Sequence, residues 1–246
     1  MANKGNWEWP NPLNIARIDQ SMITLLIGPE EKAFNIHQAL LCYWSRYFCN
    51  ALSGPFKESQ KENLKVPDVE VEVFEFAFNW LYTTNLSNEL FRDEGILAAK
   101  LYVFADYYDV REMRNCLMNL MYEEYNVTAG DLPGYDLVLF AFEYLPQNSM
   151  FCRFLLDNYT CNFAPDHDKK TPGDIEKRDR LPLSFLMPLM LQLAEETNGR
   201  DPRKKLKNRI RGLQYYIEHA EEEPQATGGD QEGTTAADRP GLVKLK

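Results

Sequence analysis

Hydrophobic and polar positions near the start of the chain follow the pattern of a small sheet. Ile23–Ile27 and Lys32–Ile36 are short runs rich in β-branched and aromatic residues, and Gly28–Glu31 between them has the composition of a turn. This arrangement predicts a β-hairpin. Asn63–Val66 is a further short alternating run and predicts a third strand.

Helical periodicity dominates the middle of the chain. His37–Leu52 predicts two short helices separated by a break, where Ser45 is a candidate helix cap. Asp109 and Glu112 have the spacing of a capping box at the start of a later helix. Three apolar stripes with steps of three and four residues predict longer helices; they consist of Val73, Phe74, Ala77 and Leu81, of Leu97, Leu101, Phe104 and Tyr108, and of Val110, Met113, Leu117 and Leu120.

The later part of the chain predicts a second, wholly helical layer. Amphipathic segments occupy about 135–145 and 149–160, and two more helices are predicted over 182–197 and 203–220. The last of these has a narrow apolar seam suited to packing on one partner helix. Residues 165–180 are charged, contain Pro and Gly and lack a stripe, so they predict a mobile loop.

These patterns divide the chain into four parts and give an α+β fold class, with a small sheet covered by helices. Residues 1–20 are aperiodic and contain Trp and Pro, which predicts an extended N-terminal arm. Residues 21–125 form the α+β domain, and residues 126–220 form the helical extension. Residues 221–246 are polar and rich in Gly and Pro, which predicts a disordered tail.

The net charge and the cysteines indicate which partners the protein binds and in which cell compartment it is found. A formal net charge of −10 repels phosphate, so we expect neither nucleic acid nor a membrane surface as a partner. The longest apolar run, Leu181–Leu193, is shorter than the roughly 20 residues of a membrane span. The start of the chain has no apolar leader, and the five cysteines include no CxxC pair. We therefore expect reduced thiols and a cytoplasmic or nuclear protein.

The string HQALLCYWSRYFCNAL over 37–52 resembles the helix pair of the BTB/POZ domain family. The predicted strands and later helices also match the elements of that family in the same order, from Ile23 to about Tyr125. The family's signature positions are occupied by His37, Leu41, Ser45, Phe48, Tyr82 and Asp106. The resemblance implies a BTB/POZ fold, with a small sheet flanked by a cluster of helices. Here an all-helical extension follows, in a BTB-only arrangement similar to that of fungal BTB-domain proteins.

The resemblance implies a non-enzymatic protein–protein interaction module. Members of the family self-associate or act as substrate adaptors that dock on the cullin scaffold of ubiquitin ligases. The adaptors carry a hydrophobic-x-Glu motif after the second helix, and Phe56, Lys57 and Glu58 match that motif here. We therefore expect cullin binding at these residues, with helices over 135–160 placed to widen the contact. The alternative is that Phe56 packs inward and Glu58 is merely solvated.

Self-association in the manner of the family's transcription factors is not expected from this sequence. That dimer pairs an acidic residue just before the first strand with a basic residue before the signature histidine. Met22 and Asn35 stand at those positions here, so the charged pair is absent, while other self-contacts stay open. The alternative function is an oligomerising scaffold, or a nuclear regulatory protein, without a role in ubiquitin transfer.

One basic cluster stands out in the acidic chain. It consists of Arg203, Lys204, Lys205, Lys207 and Arg209, and it predicts a nuclear-import signal or a polyanion contact, or else a solvated helix face.

Candidate chemistry is sparse. Asp166, His167 and Asp168 are the one cluster that resembles a metal site, but they lie in a predicted loop without further ligands nearby in sequence. The sequence contains no phosphate-binding Gly loop, G-x-S-x-G or H-E-x-x-H motif. We therefore expect no catalytic residues, metal, cofactor or small-molecule substrate.

Overall fold

The computed structural model describes residues 12–53, 63–128, 132–164, 173–198 and 210–219. Its strands are β1 (Met22–Ile27), β2 (Lys32–His37) and β3 (Asn63–Val66). Its α-helices are α1 (Pro12–Ile18), α2 (Gln38–Trp44), α3 (Arg46–Ser53), α4 (Val71–Thr83), α5 (Ile96–Tyr107), α6 (Arg111–Tyr122), α7 (Tyr135–Tyr144), α8 (Met150–Asn162), α9 (Asp174–Arg178) and α10 (Leu183–Asn198). A π-helical stretch follows α6 at Glu123–Thr128, and 3-10 turns lie at Asn88–Phe91 and Leu213–Tyr215.

The three strands form one sheet in the order β2-β1-β3, which confirms the predicted hairpin and third strand. β1 and β2 are antiparallel, and β3 runs parallel to β1 with Leu64 opposite Leu25. Gly28 adopts a φ of 72° at the turn, a value that costs glycine little. Ile23, Leu25 and Ile27 are buried on one face of β1, as the alternation predicts.

An aromatic core joins the sheet to the helices of the domain. Phe34 of β2 contacts Phe74 of α4 at 4.9 Å between ring centroids, and Phe74 contacts Phe104 of α5 at 5.8 Å. Trp44 of α2 lies 4.9 Å from Trp80 of α4. These edge-on and tilted contacts add to the hydrophobic stabilisation that the buried rings provide. These ring contacts therefore join β2 to α4, and α4 in turn to α2 and α5.

The helices after residue 134 pack directly on this core. Tyr102 of α5 contacts Phe151 of α8, with ring centroids 4.9 Å apart, and both side chains are fully buried. Phe185 of α10 is fully buried between Phe142 of α7 and Tyr159 of α8, at 5.2 Å from each. The described part of the helical extension thus shares one hydrophobic core with the α+β domain.

Two segments predicted to be irregular contain helices. Pro12–Ile18 is helical where an extended arm was predicted, because proline suits the first position of a helix and Ala16 is buried. Asp174–Arg178 is helical within the predicted loop 165–180. Its acidic residues lie in the first turn and its basic residues in the last, which stabilises the helix dipole.

Two predicted helical features are wrong. Residues 210–219 were predicted as the end of a helix over 203–220, but they hold a single 3-10 turn, and residues 203–209 lie outside the described ranges. The capping box is also absent, since Val110 precedes α6 and Asp109 has a φ of 51°. The carboxylate of Asp109 instead accepts a hydrogen bond from Arg46 Nε at 3.1 Å, so a tertiary contact has replaced the local cap.

Candidate interaction site

His37 lies at the junction between β2 and α2 and is tied to α4. The hydroxyl of Tyr82 accepts a hydrogen bond from the backbone N–H of His37 at 3.2 Å and lies 3.0 Å from Nδ1 of its ring. The backbone N–H of Gln38 donates to the Ser21 carbonyl at 2.9 Å. These bonds fix the angle at which α2 leaves the sheet, so His37 has a structural role in the described geometry.

Ser45 occupies the break between α2 and α3 and is almost fully buried. Its hydroxyl accepts a hydrogen bond from the backbone N–H of Phe48 at 3.0 Å, which is the geometry of an N-cap. The same hydroxyl donates to the Tyr108 carbonyl at 2.5 Å. One side chain therefore caps α3 and joins it to the end of α5.

The remaining signature residues surround this contact. Phe48 stacks on Tyr108, with ring centroids 4.9 Å apart and ring planes 5° from parallel. Leu41 is buried one turn before Ser45. Asp106 is half-buried near the end of α5, and its main-chain carbonyl accepts from the Asp109 N–H at 3.3 Å. The contacts of Ser45 and Phe48 with Tyr108 therefore hold α3 against the end of α5.

The outer surface of the hairpin is neutral where the family's dimer would need charge. Met22 is 51% exposed at the start of β1, and Asn35 is exposed on β2. The side-chain amide oxygen of Asn35 accepts a hydrogen bond from Thr24 Oγ1 at 2.8 Å. A hydrogen-bonded amide and a methionine cannot form an ion pair, so the absence of the family's charged dimer contact stays a prediction.

Residues 210–219 form a C-terminal strap that was missed in the sequence. Arg114 of α6 donates to both carboxylate oxygens of Glu218, at 2.7 and 2.6 Å, and to the Ala105 carbonyl at 2.9 Å. Burial by itself would lower the pKa of Arg114, but the hydrogen bonds that it donates to Glu218, together with the negative charges of Glu218 and Asp106, outweigh burial and raise that pKa. Asn115 adds two hydrogen bonds to the backbone of Glu218, at 2.8 and 2.9 Å.

The strap also reaches the helical extension. Tyr216 is fully buried, and its hydroxyl donates to the carboxylate of Asp157 on α8 at 2.6 Å. Burial raises the pKa of the Tyr216 phenol, and the hydrogen bond to Asp157 and then the charge of that carboxylate add to the rise. The strap therefore bridges α6 of the domain and α8 of the extension. The aromatic pair Tyr215 and Tyr216 in a polar stretch was the available sequence signal.

The remaining candidate residues lie outside the described ranges. They are the predicted cullin motif Phe56, Lys57 and Glu58, the predicted import cluster Arg203, Lys204, Lys205, Lys207 and Arg209, and the weak metal candidate Asp166, His167 and Asp168. Across the described ranges, no three His, Cys, Asp or Glu side chains gather as a metal site requires. No helix in those same ranges is both long enough and apolar enough to cross a bilayer.

Comparison with known proteins identifies the domain. The sequence model of the BTB/POZ domain family matches residues 17–125. Residues 17–125 are therefore a BTB/POZ domain, and we assign this domain to the protein–protein interaction modules.

Comparison with solved structures also matches the BTB domain of zebrafish PATZ1. The two share 18% sequence identity, with 41% of this chain and 75% of that chain covered, and the TM-score is 0.32. That TM-score is too low to add to the family assignment. A search among curated proteins found no match.

Proposed function

We propose that this chain is a substrate adaptor that docks on a cullin scaffold through Phe56 and Glu58. The observation that carries the proposal is the position of Phe56-Lys57-Glu58 within a BTB/POZ domain. α3 ends at Ser53 and β3 begins at Asn63, so the motif belongs to the connection that directly follows the signature helix pair.

The chemistry of the motif suits a docking site. A phenylalanine that becomes buried in a partner's pocket contributes about 2 kcal/mol or more, and aromatic anchors dominate many interfaces. A glutamate two residues away supplies a charge that improves the rate and specificity of encounter. The Ser45 cap and the stack of Phe48 on Tyr108 fix α3, the helix that the motif follows in the sequence.

The helical extension supports a wider contact. α7 and α8 follow the domain, and the contact between Tyr102 and Phe151 fixes α8 on α5. Helices that are already packed lose little conformational entropy on binding, so a cullin surface that reaches them gains area at low cost. Under this proposal the remainder of the extension is the part of the chain that recruits the client protein.

The test is capture of a purified cullin N-terminal domain by the full chain. Phe56→Ala combined with Glu58→Ala is expected to weaken capture at least tenfold, on the scale of anchor residues. The matched control is Ile175→Ala with Glu176→Ala, an apolar and acidic pair exposed on α9, which is expected to leave capture unchanged. Equal capture by the motif variant and the wild type rejects the proposal. No capture by the wild type favours the scaffold alternative.

A further inference from the structure

The outward face of α10 carries an unusual set of exposed side chains. Over 183–194 every exposed side chain is apolar, and the six large ones expose between 37 and 73% of their surface. They are Leu183, Leu186, Met187, Met190, Leu191 and Leu193. The opposite face packs on α7 and α8 through Phe185, and Gln192 Oε1 accepts from Thr160 Oγ1 at 2.7 Å. α10 is thus apolar around most of its circumference.

A helix with this distribution of apolar side chains is expected to be buried against another surface. A surface helix normally turns a polar face to water, whereas a helix that is hydrophobic all round is buried. Together the six side chains expose on the order of 500 Å², within the range of apolar patches that mark interaction sites on monomers. Covering this surface is favourable by roughly 25 cal/mol per Å² before the costs of association.

We propose that the α10 faces of two copies of this chain pack against each other in an antiparallel, two-fold pair. The residues over 181–194 carry no charge. Two copies therefore bring no like charges together at the centre of the contact, even though each chain has a net charge of −10. A two-fold contact requires a surface that is complementary to itself, and a neutral apolar stripe meets that requirement.

The charges beside the stripe favour the antiparallel orientation. Arg180 is exposed just before the N-terminus of α10, while Glu195 and Glu196 are in the last turn of that helix. An antiparallel pair brings Arg180 of each copy towards the acidic end of the other. A parallel pair would place acidic ends side by side.

The size of the contact sets the expected strength. Two such faces bury about 1,000 Å² in total, at the lower limit of specific interfaces, so the expected Kd is of micromolar order. This pairing does not involve Met22 or Asn35. It also uses other residues than the proposed cullin contact, since α10 and the Phe56–Glu58 motif are separate segments of the chain.

Sedimentation equilibrium of the full chain from about 1 to 100 µM tests the pairing. The wild type is expected to form a dimer as concentration rises. Met190→Glu is expected to weaken that dimer at least tenfold, because it places a carboxylate in the apolar contact. Met22→Glu is the matched control, since Met22 and Met190 are 51 and 53% exposed, and it is expected to dimerise as the wild type does. Circular dichroism verifies that all three chains are folded.

Charge exchange tests the orientation. Arg180→Glu is expected to weaken the dimer several-fold, and adding Glu195→Lys and Glu196→Lys is expected to restore it. A wild type that is monomeric throughout overturns the proposal. A dimer lost in Met22→Glu and kept in Met190→Glu also overturns it, as does failure of the triple variant to regain affinity.

Discussion

The Ser45 hydroxyl donates to the main-chain carbonyl of Tyr108 at 2.5 Å while it accepts from the backbone N–H of Phe48 at 3.0 Å. Both partners are buried, so neither bond can be replaced by bulk water without opening the domain. The contact joins the start of α3 to the end of α5, and it lies next to the stacked rings of Phe48 and Tyr108. A single hydroxyl therefore links two helices of the domain.

Ser45→Ala is expected to lower the free energy of unfolding by about 2–3 kcal/mol. It removes a helix cap, worth about 1 kcal/mol, and leaves the buried Tyr108 carbonyl unsatisfied, which costs about 1–2 kcal/mol more. Urea unfolding followed by circular dichroism measures the change. Ser87→Ala is the matched control, because Ser87 is exposed and makes no side-chain cap bond at its 3-10 turn. Equal losses for the two variants would contradict the assignment.

Tyr82→Phe is expected to cost about 1–2 kcal/mol of stability. The substitution keeps the ring but removes the hydroxyl that holds the backbone and the ring of His37. Tyr107→Phe serves as control, since the described contacts of Tyr107 are ring contacts with Tyr47 and Tyr108. Thermal unfolding of both variants checks the expectation, and a smaller loss for Tyr82→Phe than for Tyr107→Phe would refute it.

Glu218→Ala is expected to destabilise the chain by about 1–3 kcal/mol. Arg114 would lose the closer of its two carboxylate partners and keep only Asp109, at 3.8 Å, and a nearly buried charge with less compensation is costly. The exposed pair of Lys32 and Glu75 provides the contrast, and Glu75→Ala is expected to cost under about 1 kcal/mol. Chemical denaturation of both variants measures the difference. Indistinguishable values would show that the C-terminal strap does not stabilise the fold through this pair.

Cys152 is expected to resist alkylation in the native chain at pH 8. Burial raises the pKa of its thiol to about 11, so only about one thiol in a thousand is ionised at that pH. The rate should rise about tenfold per pH unit between 8 and 10, provided the chain stays folded. The folded state also loses stability as pH rises above the ordinary thiol pKa, because the unfolded thiol releases its proton first. Mass spectrometry of iodoacetamide-treated protein, native and in urea, checks the labelling; equal rates would contradict it.

The pattern of apolar and polar residues predicted the elements whose structure depends on neighbouring residues. Alternation over Ile23–Ile27 and Lys32–Ile36 predicted the hairpin within one residue at each strand end, because one face of each strand is buried. The break at Ser45 was visible because a capping residue interrupts a helical stripe. The α+β class follows from these elements, and the family match at 17–125 agrees with it.

Tertiary contacts decided the features that the sequence did not reveal. Asp109 has the spacing of a capping box, yet its carboxylate bonds Arg46 instead. Residues 210–219 have a helical stripe, but the pairing of Glu218 with Arg114, 104 positions earlier, holds the backbone in another shape. A contact between residues so far apart in the sequence cannot be predicted from the pattern of neighbouring residues. The exposed face of α10 could not be predicted from the sequence either, because a helix buried in the core and a helix with an exposed apolar face have the same apolar composition.

Calorimetric titration of the full chain with a purified cullin N-terminal domain tests the adaptor proposal most directly. The wild type is expected to bind, and Phe56→Ala is expected to raise Kd about 30-fold, the equivalent of about 2 kcal/mol for one aromatic anchor. Glu58→Ala is expected to have a smaller effect that shrinks further as salt increases. Wild-type binding with an unchanged Kd in Phe56→Ala, or no binding at all, would contradict the proposal.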